Sequence, residues 1–328
     1  MKCLVVIVCY KAVDLTIDCL RSLEPEIPTV PGTKVAVCEN GTGPEAVRAL
    51  EESIAANGWS DWIELTAIHP NRGFTGGNNA ILEPALASEN PPDYFLLLNA
   101  DTIVRPGALK QLIDAADAAP EVGIIGPRLE GEDGEPQVSA FRFHRPLSEL
   151  IRAADTGPIT RVFAGHEVVI GVPNEPMDVE WVSFACALVR RQVFQAVGTF
   201  DEGYFLYFDD PDLCRRADAA GWTVRHWPSA RVVHLCGQSN PLVERERLKT
   251  RRPSYFYVSR TRYFAKYYGR SGLAAANMLW LVGRMVSLLR KVCERKQQRT
   301  CKLEWRDIWT NFWSPLRLPN QREVELWR

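Results

Sequence analysis

Apolar positions in the first 120 residues alternate between two rhythms. Short, nearly unbroken runs predict buried strands: LVVIV (4–8), KVAVCEN (34–40), WIELTAIHP (62–70) and DYFLLLNAD (93–101). Between them, AVDLTIDCLRSL (12–23), PEAVRALEESIAANG (44–58), NNAILEPALAS (78–88) and ALKQLIDAADAAP (108–120) read as helices. The second has Pro at its start and Gly after its end, and Pro84 limits or kinks the third. This alternation predicts an α/β fold, a parallel sheet covered on both faces by right-handed crossovers. Ligands of such sheets bind beyond the carboxyl ends of the strands. Those ends carry Tyr10 and Lys11, Glu39 to Gly41, His69 to Gly77, and Asn99 to Asp101. The stretch NRGFTGGNNA (71–80) reads as the loop after the third strand, entering a helix. Its glycines and amides suit a phosphate or sugar, or else an elaborate turn.

After residue 120 the rhythm loosens. Residues 123–137 read as a strand and a turn, 179–198 as a strand into a helix, and 223–237 as two short strands. Residues 200–221 hold a dense carboxylate group just before a helix, and from about 253 the chain reads as helical to about 296. No internal repeat or low-complexity segment occurs.

Composition changes this picture little. Of 328 residues, 46% are apolar and 24% charged, as in a soluble globular protein. Nine scattered cysteines with no C-x-x-C pair suit buried thiols in a reducing cytosol, not a disulfide framework or zinc site. The N-terminal apolar run is short and lacks an A-x-A cleavage site, so it reads as a strand rather than a signal peptide. A dinucleotide-dependent oxidoreductase is disfavoured because CYKAVD, not G-x-G-x-x-G, follows the first strand. Charge adds more. Residues 1–243 hold 19 Lys and Arg against 33 Asp and Glu, whereas residues 244–302 hold 16 against 3. Such asymmetry points to a partner rather than to the fold.

Three features carry candidate chemistry. Asp101 ends the strongest strand and suits either a hard-cation ligand or a helix cap. His234, after VVH, could complete a mixed O/N site suited to Mn²⁺, or be a satisfied structural histidine. Asp209, Asp210 and Asp212 follow the aromatic run Tyr204, Phe205, Tyr207, Phe208. They suit a general base for a sugar hydroxyl, or the capped first turn of a helix begun by Pro211. Asp212 takes the structural role more readily than Asp210.

The succession VVIVCYK, VCENG, NRGFTGGNNA, LLLNADTIV, FDEGYFLYFDDPDLCRRADAAG and VVH resembles the family 2 glycosyltransferases with the GT-A fold. It looks most like the rhamnosyltransferase-type bacterial enzymes of cell-surface polysaccharide synthesis. The resemblance covers roughly residues 1–240 and leaves 241–328 as a basic, aromatic-rich helical extension. It implies a mostly parallel, Rossmann-like sheet and an inverting transfer from a nucleotide-diphosphate sugar. The donor it implies is dTDP-rhamnose, with UDP-linked galactose, glucose or N-acetylglucosamine as alternatives. It puts Tyr10, Glu39, Asn71, Arg72, Gly73, Asn78, Asn99 and Asp101 on the donor. Asp101 and His234 would meet a divalent cation, Mn or Mg. Asp210 would be the catalytic base, with Asp209 and Tyr207 on the acceptor side. Three positions depart from the family pattern: Cys9-Tyr10-Lys11 replaces T-Y-N, Glu39 replaces Asp, and Asp209 replaces the Glu of E-D. A non-catalytic sugar-nucleotide binder is the remote alternative, and the presence of all three acids, Asp101, Asp209 and Asp210, argues against it.

In the C-terminal third, aromatics mix with Arg and Lys over 253–270, and a long apolar segment, 272–289, is interrupted by Asn277 and Arg284. The interruptions argue against a membrane span. They leave a cytoplasmic protein with peripheral membrane contact through 253–302, or a helix that packs on the protein or on a second subunit in a homodimer. A saccharide or lipid-linked acceptor suits such a place. Nucleic acid has no motif to support it.

Overall fold

The computed structural model describes residues 1–235, 245, 247–294 and 300–327. The chain forms two compact units. The first comprises Met1–Phe141, Gly171–Asp201 and Asp210–Ser239, and the second Arg142–Ile170, Glu202–Asp209 and Asn240–Arg328. The sequence divides the chain once, near 240; the contacts also assign 142–170 and 202–209 to the second unit.

In chain order the strands are β1 (Cys3–Cys9), β2 (Thr33–Asn40), β3 (Ile63–Ile68), β4 (Tyr94–Asn99), β5 (Thr102–Val104) and β6 (Val122–Glu130). There follow β7 (Ala140–Phe141), β8 (Val169–Gly171), β9 (Met177–Val179), β10 (Trp181–Val182), β11 (Cys186–Arg190) and β12 (Thr223–His234). The helices are α1 (Val13–Leu23), α2 (Pro44–Ala56), α3 (Gly73–Leu86), α4 (Ala108–Ala118), α5 (Pro146–Ala154) and α6 (Gly157–Val162). Then come α7 (Arg191–Val197), α8 (Asp209–Ala219), α9 (Ser254–Glu294), α10 (Glu304–Asp307) and α11 (Gln321–Trp327).

The first unit is built on a nine-stranded sheet in the order β3-β2-β1-β4-β11-β6-β12-β5, with β9 paired to β12. Strands β3, β2, β1, β4, β6 and β12 run one way, and β11, β5 and β9 run against them. The mostly parallel expectation therefore holds, with β11 inserted between β4 and β6. β1 and β4 are each buried at every position but one, so both faces of the sheet centre are covered. α3 packs on β1 and β2, α1 on β5, and α4 on β12 and β6. The start of α4 is capped from afar. The buried carboxylate of Glu26 accepts from the amides of Gly107 (2.7 Å) and Leu109 (3.1 Å), which lie at the open N-terminus of that helix.

Two sequence expectations need correction. α3 begins at Gly73, not at Asn78, so the glycine-rich stretch is mostly helix rather than loop. Its glycines serve packing: a Cβ on Gly77 would stand 2.7 Å from Val8 Cγ1, and one on Gly76 2.4 Å from Arg72 Cβ. Residues 223–234 form one strand, not two. Pro228 and Ser229 fall within a register shift between Trp227 and Arg231 that the strand passes through without ending.

In the second unit, α9 is interrupted at Gly269, whose backbone (φ 67, ψ −177) is not helical. An aromatic cluster of Tyr204, Phe208, Tyr263 and Phe264 packs with Leu273 and Ala276. Beside it runs a buried charge network. Arg260 Nη2 meets Glu149 Oε2 at 2.9 Å, Arg152 joins Glu149 (2.8 Å) to Glu304 (2.6 Å), and Arg252 reaches Glu304 at 2.7 Å. Burial would push the Glu149 carboxyl up, but Arg152 and Arg260 together hold it well below the usual range. Part of the basic surplus of this region is thus consumed internally rather than presented to a partner.

Candidate active site

The strand order reverses between β1, which pairs with β2 on one side, and β4 on the other. In open α/β sheets such a reversal is the place where ligands bind. Register brings the strand ends level: Cys9 pairs with Glu39, Val8 with Asn99, and Asn40 with Ile68. Tyr10, Glu39 to Gly41, Asn71 to Gly73 and Asn99 to Asp101 therefore gather at one edge of the first unit.

Within that edge the polar side chains mostly hold one another's backbone. Buried Glu39 accepts from the amide of Thr42 at 2.6 Å and of Gly41 at 3.3 Å, folding its own turn. Thr42 Oγ1 in turn accepts from the Lys11 amide at 2.8 Å, joining the loops after β1 and β2. Asn40, which the sequence places at a strand end without giving it a role, clamps the entry to α3. Its Nδ2 donates to Gly73 O (2.8 Å) and its Oδ1 accepts from the Arg72 amide (3.0 Å). Asn71 Oδ1 accepts from the Gly73 amide at 2.7 Å, an Asx turn that starts the helix. Gly41 has a positive φ of 85°, and a Cβ there would fall 2.4 Å from the Asn71 nitrogen. Only glycine lets these two loops abut. Asn78 donates back to Phe74 O at 2.8 Å within its own helix. Its neighbour Asn79, also unanticipated, binds both backbone groups of Phe200, donating to its carbonyl at 2.9 Å and accepting from its amide at 3.0 Å.

The acids sit on two sides of the segment Ser183–Ala185, which leads into β11. The Asn99 amide donates to Ala185 O at 2.9 Å, and the Phe184 amide donates to Asp210 Oδ2 at 3.1 Å. Asp210 stands in the first turn of α8, half-buried. Asp212 is buried and pairs with Arg216 at 2.9 Å, and Arg216 also donates to the carbonyls of Val197 and Thr199. That is the structural role its sequence position suggested. Asp209 and Tyr207 belong to the second unit. There Tyr207 and Phe208 are consecutive non-glycine residues at positive φ (69° and 63°), and the Tyr207 ring stacks on Tyr255 at 6.1 Å. Such strained backbone persists only where its surroundings enforce it.

Asp101 is buried, and the antiparallel pairing of β5 with β12 sets His234 opposite Thr102. His234 Nε2 comes within 3.6 Å of Asp101 Oδ1. Burial pushes the His234 pKa down while the Asp101 charge draws it back up. A neutral imidazole beside a buried carboxylate is a donor set that fits a divalent cation. Among the described residues no group of three His, Cys, Asp or Glu could hold a metal, so further ligands would come from a bound phosphate or water. Of the cysteines, Cys3, Cys9, Cys19, Cys38, Cys186, Cys214 and Cys301 are buried. Burial drives the Cys3, Cys19 and Cys38 thiols up to about 12, away from nucleophilic use. Cys236 lies outside the described residues.

Comparison with known proteins gives the family and the fold. The model of the family described as "Glycosyltransferase like family 2" matches residues 2–253. An N-acetylglucosaminyl-diphospho-decaprenol L-rhamnosyltransferase of Mycobacterium tuberculosis is 35% identical over 147 residues, 43% of this chain and 47% of that protein. The O-antigen biosynthesis protein RfbC of Myxococcus xanthus is 29% identical over 214 residues, 60% of this chain and 14% of that protein. The chain thus spans about half the length of the first relative, by the 47% figure, and a small part of the second. Among solved structures, GalNAc-T7 with UDP, GalNAc and Mn²⁺ superposes with a TM-score of 0.58 at 15% identity, covering 97% of this chain and 58% of that one. At that identity the likeness speaks for the fold, which is GT-A.

Proposed function

The chain belongs to the glycosyltransferase-like family 2, and on that premise we propose that it is an inverting glycosyltransferase of cell-surface polysaccharide synthesis. It moves a sugar from a nucleotide diphosphate to a saccharide or lipid-linked saccharide acceptor on the cytoplasmic side of the membrane. The donor is dTDP-rhamnose, in keeping with the mycobacterial relative named an L-rhamnosyltransferase.

What supports the reading is one pair of hydrogen bonds. The Ala185 carbonyl and the Phe184 amide tie the end of β4, which leads to Asp101, and the first turn of α8, which carries Asp210, to a single short segment. A diphosphate-binding acid and a hydroxyl-binding acid need such fixed spacing. In the proposed step Asp210 takes the proton of the acceptor hydroxyl as that oxygen attacks the anomeric carbon. The bond from that carbon to the diphosphate breaks, and the configuration inverts. Tyr10 and Glu39 flank the base of the donor. Arg72, at the entry to α3, holds the diphosphate end, where a guanidinium suits an anion. Asp101 and His234 would hold a divalent cation, which when bound supplies positive charge to the departing diphosphate.

Calorimetric titration with dTDP, UDP and NAD, with Mn²⁺ and then with EDTA, tests this on the wild type and Asp101→Ala. Metal-dependent binding of dTDP in preference to UDP, lost in the variant, is expected. Preference for UDP would overturn the donor, and binding of NAD alone, or of nothing, would overturn the reading.

A further inference from the structure

The second half of α9 is apolar on two faces, and only one of them has a partner. Leu273, Ala276 and Trp280 are buried on the inner face, and Gly283 brings the helix close to α5, where a Cβ would stand 2.5 Å from Leu150 O. On the outer face Met278, Val282, Met285 and Leu289 recur at i, i+4, i+7 and i+11, a single stripe along the helix. All four are exposed, Leu289 by 71%. Among the described residues nothing covers them. Leu281, Met285 and Leu288 continue into an open groove of about 1070 Å³ that Leu303 and Trp305 also line. Trp313 is exposed by 79%, and Trp309 is also exposed. A patch of this kind on a folded unit marks an interaction site.

The charge around the groove says what it meets. Lys249, Arg284 and Lys302 line it, and among the described residues no carboxylate does. We infer that this face docks on an anionic bilayer surface, with α9 lying in the plane of the interface. The methionines, leucines and tryptophans enter the boundary between headgroups and acyl chains, and Lys249 and Lys302 meet lipid phosphates. A second copy of the chain fits less well. A two-fold self-contact would set the same cations against one another, with no acid among the described lining residues to receive them. By length and composition alone the helix over residues 254–290 could cross a membrane. Its inner face, however, is committed to α5, and Asn277 is fully buried there, donating to Ile308 O and accepting from Arg260. Spanning would break that packing, whereas lying flat keeps it.

The inference does not use the donor site, so the two readings can fail separately. The full chain is mixed with phosphatidylcholine vesicles, with or without phosphatidylglycerol, and floated on a density gradient. Flotation with the phosphatidylglycerol vesicles alone is expected, weakening as salt rises. Met285→Glu with Leu289→Glu should abolish it. Lys249→Glu with Lys302→Glu, two exposed changes that spare the core, should weaken it by at least about twenty-five-fold, taking roughly fivefold for each lysine. Unchanged circular dichroism and melting temperature of the variants show that they are folded. No flotation of the wild type would overturn the inference. So would equal flotation with neutral vesicles that charge reversal leaves intact, or a wild-type dimer that the Met285 and Leu289 changes dissociate.

Discussion

The backbone amide of Phe184 donates to Asp210 Oδ2 at 3.1 Å. The bond fixes one oxygen of the carboxylate that we propose as the catalytic base. Asp210→Asn keeps an oxygen for the amide but removes the base. Turnover should fall about a hundred- to ten-thousand-fold, the usual worth of a positioned general base. Nucleotide affinity by calorimetry should not change. A variant that keeps wild-type turnover would remove Asp210 from the chemistry.

Gly77→Ala sets two effects against each other. Alanine favours a helix by about 1 kcal/mol over glycine. The new methyl would, however, stand 2.7 Å from Val8 Cγ1 on the buried β1 and 3.0 Å from Asn40 Nδ2. Overpacking of that kind costs about 1–3 kcal/mol. The net outcome expected is a lower melting temperature and weaker nucleotide binding, since Asn40 also shapes the turn at Arg72 and Gly73. A raised melting temperature would show that α3 moves away from the sheet at no cost.

Asn79→Ala leaves the amide and the carbonyl of buried Phe200 without the partners they have at 3.0 and 2.9 Å. Each orphaned buried group costs about 1–3 kcal/mol, so a loss of roughly 2–6 kcal/mol is expected in urea unfolding. Asn79→Leu, of similar volume, should lose as much, which separates the hydrogen bonds from the packing. A leucine variant as stable as wild type would refute that account.

These residues also show how far the sequence carries. Unbroken runs such as LVVIV and FLLLN declare β1 and β4 because a strand buried on both faces has no polar alternation to confuse the pattern. The acids after β4 and before α8 were visible as motifs in a fixed order. Asn40 and Asn79 were not, because their work lies in partners 33 and 121 residues away, and no local spacing encodes that. The glycines of 73–77 misled for a related reason. Glycine usually signals a turn, but here Gly76 and Gly77 are helical and small so that the helix can approach Arg72 and β1. Arg260 looked like part of a basic surface, yet it is buried against Glu149, a partner 111 residues earlier in the chain.

Histidine burial gives the last expectation, a loss of stability in mild acid. His226 is fully buried, with Nε2 3.3 Å from Ser139 Oγ, and burial pushes its pKa down to about 4. His144 is lowered to about 4 as well, by burial that the nearby Glu149 charge only partly offsets. In the unfolded chain a histidine titrates near 6.5. Above that pH both states are neutral and the shift has no effect. As pH falls below it, the unfolded chain takes up protons that the folded protein refuses, so stability drops until the folded pKa is reached. For His226 the full loss is on the order of 3 kcal/mol. Carboxylates such as Glu149, held low in the folded state, add their own loss only further down, as pH falls through the ordinary glutamate range near 4.3. Urea unfolding between about pH 7 and about pH 5 therefore isolates the histidines. The midpoint should fall across that window, and His226→Gln, which keeps a polar partner for Ser139 but cannot titrate, should flatten the slope. A wild-type midpoint that stays level across the window would mean that His226 and His144 are open to protonation in the folded chain.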